Sequence, residues 1–228
     1  MTEMTLSPRT TARLAGAAYL LVIACGLFAE GAVRGTLIGP DAAGTVVAIR
    51  DNWGLFRAGL AADLTMALAD VALAILLLHL LRPAGGAAAL AATAFRLVQA
   101  AVIAVSLLLL ALGGRLATDE ATALPGQDAL ALLLIQAHGL GYDIGLAFFA
   151  VTAVLTGWLA ARAGIVPRWT GALLMAAGPV YLAGSVIALV APGLIDSFAP
   201  AYLVPVVAET SFCLWLLAAP RSRFTAGE

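Results

Sequence analysis

Residues Leu55 to Leu112 read LFRAGLAADLTMALADVALAILLLHLLRPAGGAAALAATAFRLVQAAVIAVSLLLLAL, and this stretch decides the fold. Two apolar runs, Leu55 to Leu81 and Gly86 to Leu112, flank a turn at Arg82-Pro83-Ala84-Gly85. Each exceeds the about 20 residues that carry an α-helix across a bilayer, and only helices or closed barrels satisfy their own backbone there. The middles of both runs carry charge. Asp70 lies 13 residues before Pro83 and Arg96 lies 13 after it. At a rise of about 1.5 Å per residue, antiparallel neighbours bring both to about 20 Å from the turn, near the bilayer middle, where an ion pair is geometrically available.

The rest of the chain follows this pattern. Of 228 residues 63% are hydrophobic and 11% charged, with a mean hydropathy of +1.03. That lies far from the balance of a soluble domain and marks an integral membrane protein. Four further apolar segments join the first two: roughly Arg13 to Val33, Asp128 to Ala161, Trp169 to Ala191 and Pro200 to Ala219. We therefore expect an all-α membrane protein, a six-transmembrane-helix bundle that forms one integral domain over 1–228, with short tails at about 1–11 and 220–228.

An even number of spans puts both termini on one side. That side carries Arg9, Arg13, Arg82, Arg162, Arg168, Arg221 and Arg223, against Arg34, Arg50, Arg57 and Arg115 on the other, with Asp41, Asp51, Asp119, Glu120 and Asp196. The positive-inside rule then predicts cytoplasmic termini in a bacterial cytoplasmic (inner) membrane. Val22-Ile23-Ala24-Cys25 imitates a lipoprotein cleavage site, but the apolar run continues to Val33, as a retained helix does. Thr36 to Trp53, with Val46, Val47, Ile49 and Trp53 after Asp41, predicts a short interfacial helix.

The composition also excludes chemistry. All twelve basic residues are arginine, so there is no lysine for a Schiff base or a phosphate-binding loop. A net charge of −1 without a basic cluster gives no reason to expect nucleic acid. Cys25 and Cys213 sit inside apolar segments at different depths, which argues against a disulfide. No Gly-x-Ser-x-Gly element is present to support a hydrolase triad.

Counting depth sorts the remaining polar residues. Asp143 falls near the height of Asp70 and Arg96, and Gln99 and Ser106 continue the Arg96 face. Asp63 shares the Asp70 face one heptad nearer the outside, and His138, Tyr142 and Glu209 reach a comparable outer depth. Glu30 and Arg34 form an i,i+4 pair at the outer boundary, while Arg57 is a possible second partner for the acids. Pro205, just above Glu209, invites a kink. Four deep carboxylates, Asp63, Asp70, Asp143 and Glu209, face one deep arginine. The excess acid must be protonated, solvated through an outward cavity or matched by an exogenous cation.

We expect Asp63, His138, Tyr142, Glu209 and Asp143 to line an outward-facing pocket for a small polar or cationic ligand, as a proton-linked carrier or a ligand sensor uses. Asp70, Arg96 and Gln99 form a structural polar pair and its support. No cofactor and no bound metal are expected, and the balance points away from an enzyme. Two other readings stay open: an intramembrane metal-dependent enzyme using His138 with Asp63 or Glu209, and a non-catalytic partner subunit or assembly factor. The partners expected are the lipid bilayer and a small polar ligand. Gly141-x-x-x-Gly145 serves packing within the chain or between two copies, so monomer and homodimer both fit.

Four ordered strings add a resemblance: Phe28-Ala-Glu-Gly-Ala-Val-Arg34, Phe95-Arg-Leu-Val-Gln-Ala100, His138-Gly-Leu-Gly-Tyr-Asp-Ile-Gly-Leu-Ala-Phe-Phe149, and Leu203-Val-Pro-Val-Val-Ala-Glu209 followed by Leu214-Trp-Leu216. Together, from about Ala12 to Leu217, they resemble a bacterial family of multi-pass membrane proteins, the domain of unknown function numbered 4386. The resemblance implies a helical membrane fold and carries no activity. Its strings contain Glu30, Arg34, Arg96, Gln99, His138, Tyr142 and Glu209.

Overall fold

A computed structural model describes residues 7–118 and 124–220. Asp119, Glu120, Arg221 and Arg223, which enter the orientation count, lie outside the described residues. Six helices are long and apolar enough to cross a membrane, and no strand occurs among the described residues.

The first span, α1, covers Pro8–Leu37; it is N-capped by Ser7 and continues past Cys25. A short helix α2 over Ala42–Asp51 comes next, then α3 over Trp53–Leu81, α4 over Gly86–Thr118 and α5 over Gln127–Arg162. The last two spans are α6, Arg168–Val190, and α7, Leu203–Ala218, which is entered through short turns from Pro192 to Tyr202. Proline and glycine stop the chain where the hydropathy drops, at Pro83 after α3 and at Gly164 after α5, where φ is 70°.

The six spans close into a ring in the order α1, α3, α4, α5, α6, α7, with α7 returning to α1. Small residues let the helices approach closely at these seams. A Cβ on Gly16 would meet the Leu217 backbone nitrogen at 2.6 Å, and one on Gly157 would meet the Gly171 carbonyl oxygen at 2.6 Å. Arg9 Nε donates to the Ala219 carbonyl at 3.1 Å, so both ends of the described chain share one face, called proximal here.

Gly141 and Gly145 resolve the small-residue motif as packing within the chain. Their Cβ positions would meet Ser106 Cβ at 2.5 Å and Ile103 Cγ1 at 2.8 Å on α4.

Two apolar clusters hold the ring. The proximal one includes Leu73, Leu77, Leu159, Leu174, Phe212 and Leu216; the distal one includes Val33, Ile49, Phe56, Leu110 and Ile135. Polar side chains lie between them. α2 caps the distal cluster. Asp41 accepts from Gly44 N at 2.6 Å to start it, and Val46 and Ile49 turn inward. Val47 points outward at 53% exposure, so the apolar stripe splits between the protein and its surroundings.

Two local expectations change. Pro205 falls in the first turn of α7, where its missing donor breaks no hydrogen bond, and no kink is needed. The proline within a helix is Pro179, in α6. The second change is a π-helical segment in α1, Phe28–Arg34. A π-turn adds a residue to the helical circuit and rotates the side chains beyond it, and such turns recur at functional sites.

Candidate functional site

The polar interior has two levels. The central level takes one side chain from each span: Tyr19 from α1, Asp70 from α3, Arg96 from α4, Phe149 from α5, Tyr181 from α6 and Glu209 from α7. Asp70 Oδ1 accepts from Arg96 Nε at 3.0 Å and from Arg96 Nη2 at 2.5 Å, with both residues 3% exposed. The guanidinium lies over the rings of Tyr19 and Phe149, 5.3 and 5.1 Å from their centroids. Such stacking favours arginine in a dry interior, because a planar, weakly hydrated cation loses little there. Glu209 is held from two sides: Tyr19 Oη donates to Oε2 at 2.9 Å, and Tyr181 Oη donates to Oε1. Gln99 is buried one turn from Arg96 yet bonds neither Asp70 nor Arg96, and its Oε1 has no hydrogen-bond partner.

The distal level is built around Arg34. The π-turn sends this side chain inward, where it is 9% exposed. Its Nε donates to Glu30 Oε2 at 2.7 Å, Nη1 to Asp63 Oδ2 at 2.5 Å and Nη2 to Asp63 Oδ1 at 3.4 Å. Arg34 is therefore the cation that answers Asp63; the outer-boundary assignment with Glu30 names one of its two partners. The deep carboxylates Asp63 and Asp70 each have an arginine, and Glu209 has two tyrosines. Asp143 has neither.

Between the distal ends of α1 and α5 lies an open cleft of about 630 Å³. Its polar lining is Glu30, Arg34, Gln136, His138, Tyr142 and Asp143. Its apolar lining is Ile38, Ile135, Leu146 and Ile195, with the Tyr202 ring. Asp63 and Glu209 are not lining residues: Asp63 is sealed behind Arg34 at 1% exposure, and Glu209 belongs to the central level.

His138 is 1% exposed and has two different ring nitrogens. Nδ1 is 3.1 Å from Ser106 Oγ, and Nε2 has no partner. The Ser106 hydroxyl donates to the Ile103 carbonyl at 2.8 Å, so its oxygen accepts from Nδ1–H. This assigns the Nδ1–H tautomer and leaves Nε2 as a bare acceptor. Tyr142 Oη is 4.0 Å from Met66 Sδ, a weak contact that leaves the hydroxyl available.

The set His138, Asp63 and Glu209 is not brought together, and no three of His, Cys, Asp and Glu among the described residues are placed to hold a metal ion. Sequence reasoning gave no part to Tyr181 and Phe149, nor to the inward turn of Arg34. One signal was available: of the four tyrosines, Tyr19, Tyr142 and Tyr181 stand inside spans rather than at their interfacial ends. Tyr19 and Tyr181 meet Glu209, while Tyr142 and Tyr202 line the cleft.

No curated protein and no solved structure matches the chain significantly. A family model, Domain of unknown function (DUF4386), matches residues 14–219, a stretch that contains all six spans' interior residues and both polar levels, and the chain belongs to that family.

Proposed function

We propose that this multi-pass protein binds a small polar or cationic solute in the distal cleft, with the termini cytoplasmic and the cleft facing out of a bacterial cytoplasmic membrane. The arginine excess among the described proximal residues, Arg9, Arg13, Arg82, Arg162 and Arg168, supports that orientation. One observation carries the binding reading. Asp143, whose carboxylate makes no hydrogen bond or ion pair among the described residues, and His138, whose buried Nε2 has no partner among them, belong to the lining of the same open space. Polar groups left incomplete inside an apolar bundle cost free energy that a bound solute offsets. The cleft's size falls within the range of small-molecule sites.

The test is a screen of amines, amides, polyols and carboxylates against the full chain in micelles, by thermal shift and equilibrium binding, beside Gly139→Leu. Gly139 lines the cleft, and a Cβ there meets nothing within 4 Å, so a leucine side chain starts into open space. At least one solute class should stabilise the native chain saturably and fail to stabilise the variant. If no class does, or if the variant responds equally, the cleft is not a binding site.

A further inference from the structure

The cleft's one guanidinium is engaged and carboxylates outnumber it, which defines the chemistry it takes. Arg34 is the one cation among the described residues that line it, and all three guanidinium nitrogens already donate to Glu30 and Asp63. Facing these are three acceptors with capacity to spare: the Asp143 carboxylate, the bare Nε2 of His138, and Glu30, whose side chain is 72% exposed. Including Asp63 behind it, the site sets three carboxylates against one guanidinium. A carboxylate cluster alone would not define a ligand. The second observation is His138, 1% exposed and lining the same space, whose unpartnered nitrogen in the assigned tautomer asks for an N–H or O–H.

An anionic ligand would meet the Tyr142 hydroxyl and the Gln136 amide only beside a net excess of two carboxylate charges. A neutral polyol would satisfy Nε2 and leave the charge imbalance. A bare metal ion is disfavoured by the lack of three grouped ligands among the described residues, and by the aliphatic wall of Ile38, Ile135, Leu146 and Ile195. A cation with N–H groups at one end and an apolar body at the other meets every demand. Its ammonium reaches Asp143 and Nε2 at charge-assisted hydrogen-bond strength, and the Tyr142 and Tyr202 rings suit it electrostatically.

We propose that the ligand of the distal cleft is an organic amine, bound as its ammonium form between Asp143 and the Nε2 of His138. The inference rests on the cleft being a binding site and goes on to name the class. Its test uses matched probes against the full chain in micelles: phenethylamine, cyclohexylamine and cadaverine, each beside the alcohol and carboxylate of the same skeleton. At least one amine should bind about tenfold or more tighter than its alcohol, with its carboxylate weakest. Asp143→Asn should remove most of that preference. His138→Phe should weaken phenethylamine several-fold yet leave its trimethylammonium analogue, which has no N–H, unchanged; a packing defect would weaken both.

Alcohols or carboxylates binding as well as the amines would overturn the inference and leave the cleft a binding site. So would an amine preference that survives Asp143→Asn. If no probe of any class binds, both readings fall.

Discussion

The central level and the distal cleft are made from the same residue types, yet every charged group is answered in one and not in the other. In the central level each charged group has its counterpart: Asp70 has Arg96, Arg96 has two aromatic faces, and Glu209 has two phenols. In the cleft, Arg34 and Asp63 satisfy each other, while Asp143 lines the open space without a partner among the described residues and Nε2 of His138, buried in the cleft wall, has none either. Completeness separates the two roles better than depth or charge does. A satisfied network fixes which helices neighbour which, and an unsatisfied one holds acceptors ready for something not part of the chain.

The largest test of this contrast is Arg96→Leu. It leaves Asp70 as an uncompensated carboxylate, 3% exposed, and should destabilise the protein by about 3–5 kcal/mol in denaturant unfolding from micelles. The double variant Asp70→Leu, Arg96→Leu should recover much of that loss, because no charge is then left alone. If the single substitution is tolerated, the central level is not what holds the ring.

A sharper comparison uses two glycines two residues apart on α5. Gly141 packs against Ser106, with its Cβ position 2.5 Å from the Ser106 Cβ, whereas a Cβ on Gly139 meets nothing within 4 Å. Gly141→Leu must push α4 and α5 apart and should cost about 1–3 kcal/mol. It should also disturb the Ser106 contact that sets the His138 tautomer. Gly139→Leu should change unfolding stability by no more than about 0.5 kcal/mol while abolishing ligand binding. Equal effects of the two would mean that cleft and seam are one packed region.

The six spans and the Asp70–Arg96 contact were readable because they depend on distance along the chain. A hydrophobic run reports length, and two residues equally far from a turn share a height whatever their rotation. What the chain distance does not give is which partner a side chain finds. Glu209 counts to an outer depth that suits the cleft, but it belongs to the central level, where Tyr19 and Tyr181 hold it. Arg34 reads as a boundary arginine on a 3.6-residue helix, and only the π-turn over Phe28–Arg34 swings it onto Asp63. Most of the apparent excess of four acids over one arginine arose from that single missed turn and from two phenols whose part the charge count ignored, and Asp143 is what remains of it.

Glu209→Gln is a milder probe of the central level. The amide keeps one acceptor oxygen and replaces the other by a donor, so one tyrosine hydroxyl loses its acceptor while the other keeps it. Because Glu209 and Tyr181 are only partly buried, the loss should be about 1 kcal/mol in the same unfolding measurement, with amine binding in the cleft unchanged. Loss of binding without loss of stability would instead join Glu209 to the cleft.

The smallest expected effect separates the two levels most cleanly. Asp143 is half-buried on α5 and has no hydrogen bond or ion pair among the described residues, so removing its charge breaks nothing in the folded chain. It also relieves a carboxylate held against an aliphatic wall beside Glu30. Asp143→Asn should therefore raise stability by roughly 0.5 kcal/mol, the sign expected where a site is kept less stable than its scaffold permits. The same substitution at Asp70 removes the counter-charge from a buried arginine and should destabilise. Two aspartates in one bundle would then respond to the same chemical change with opposite signs, and the sign would report whether the partner of each lies inside the protein or outside it.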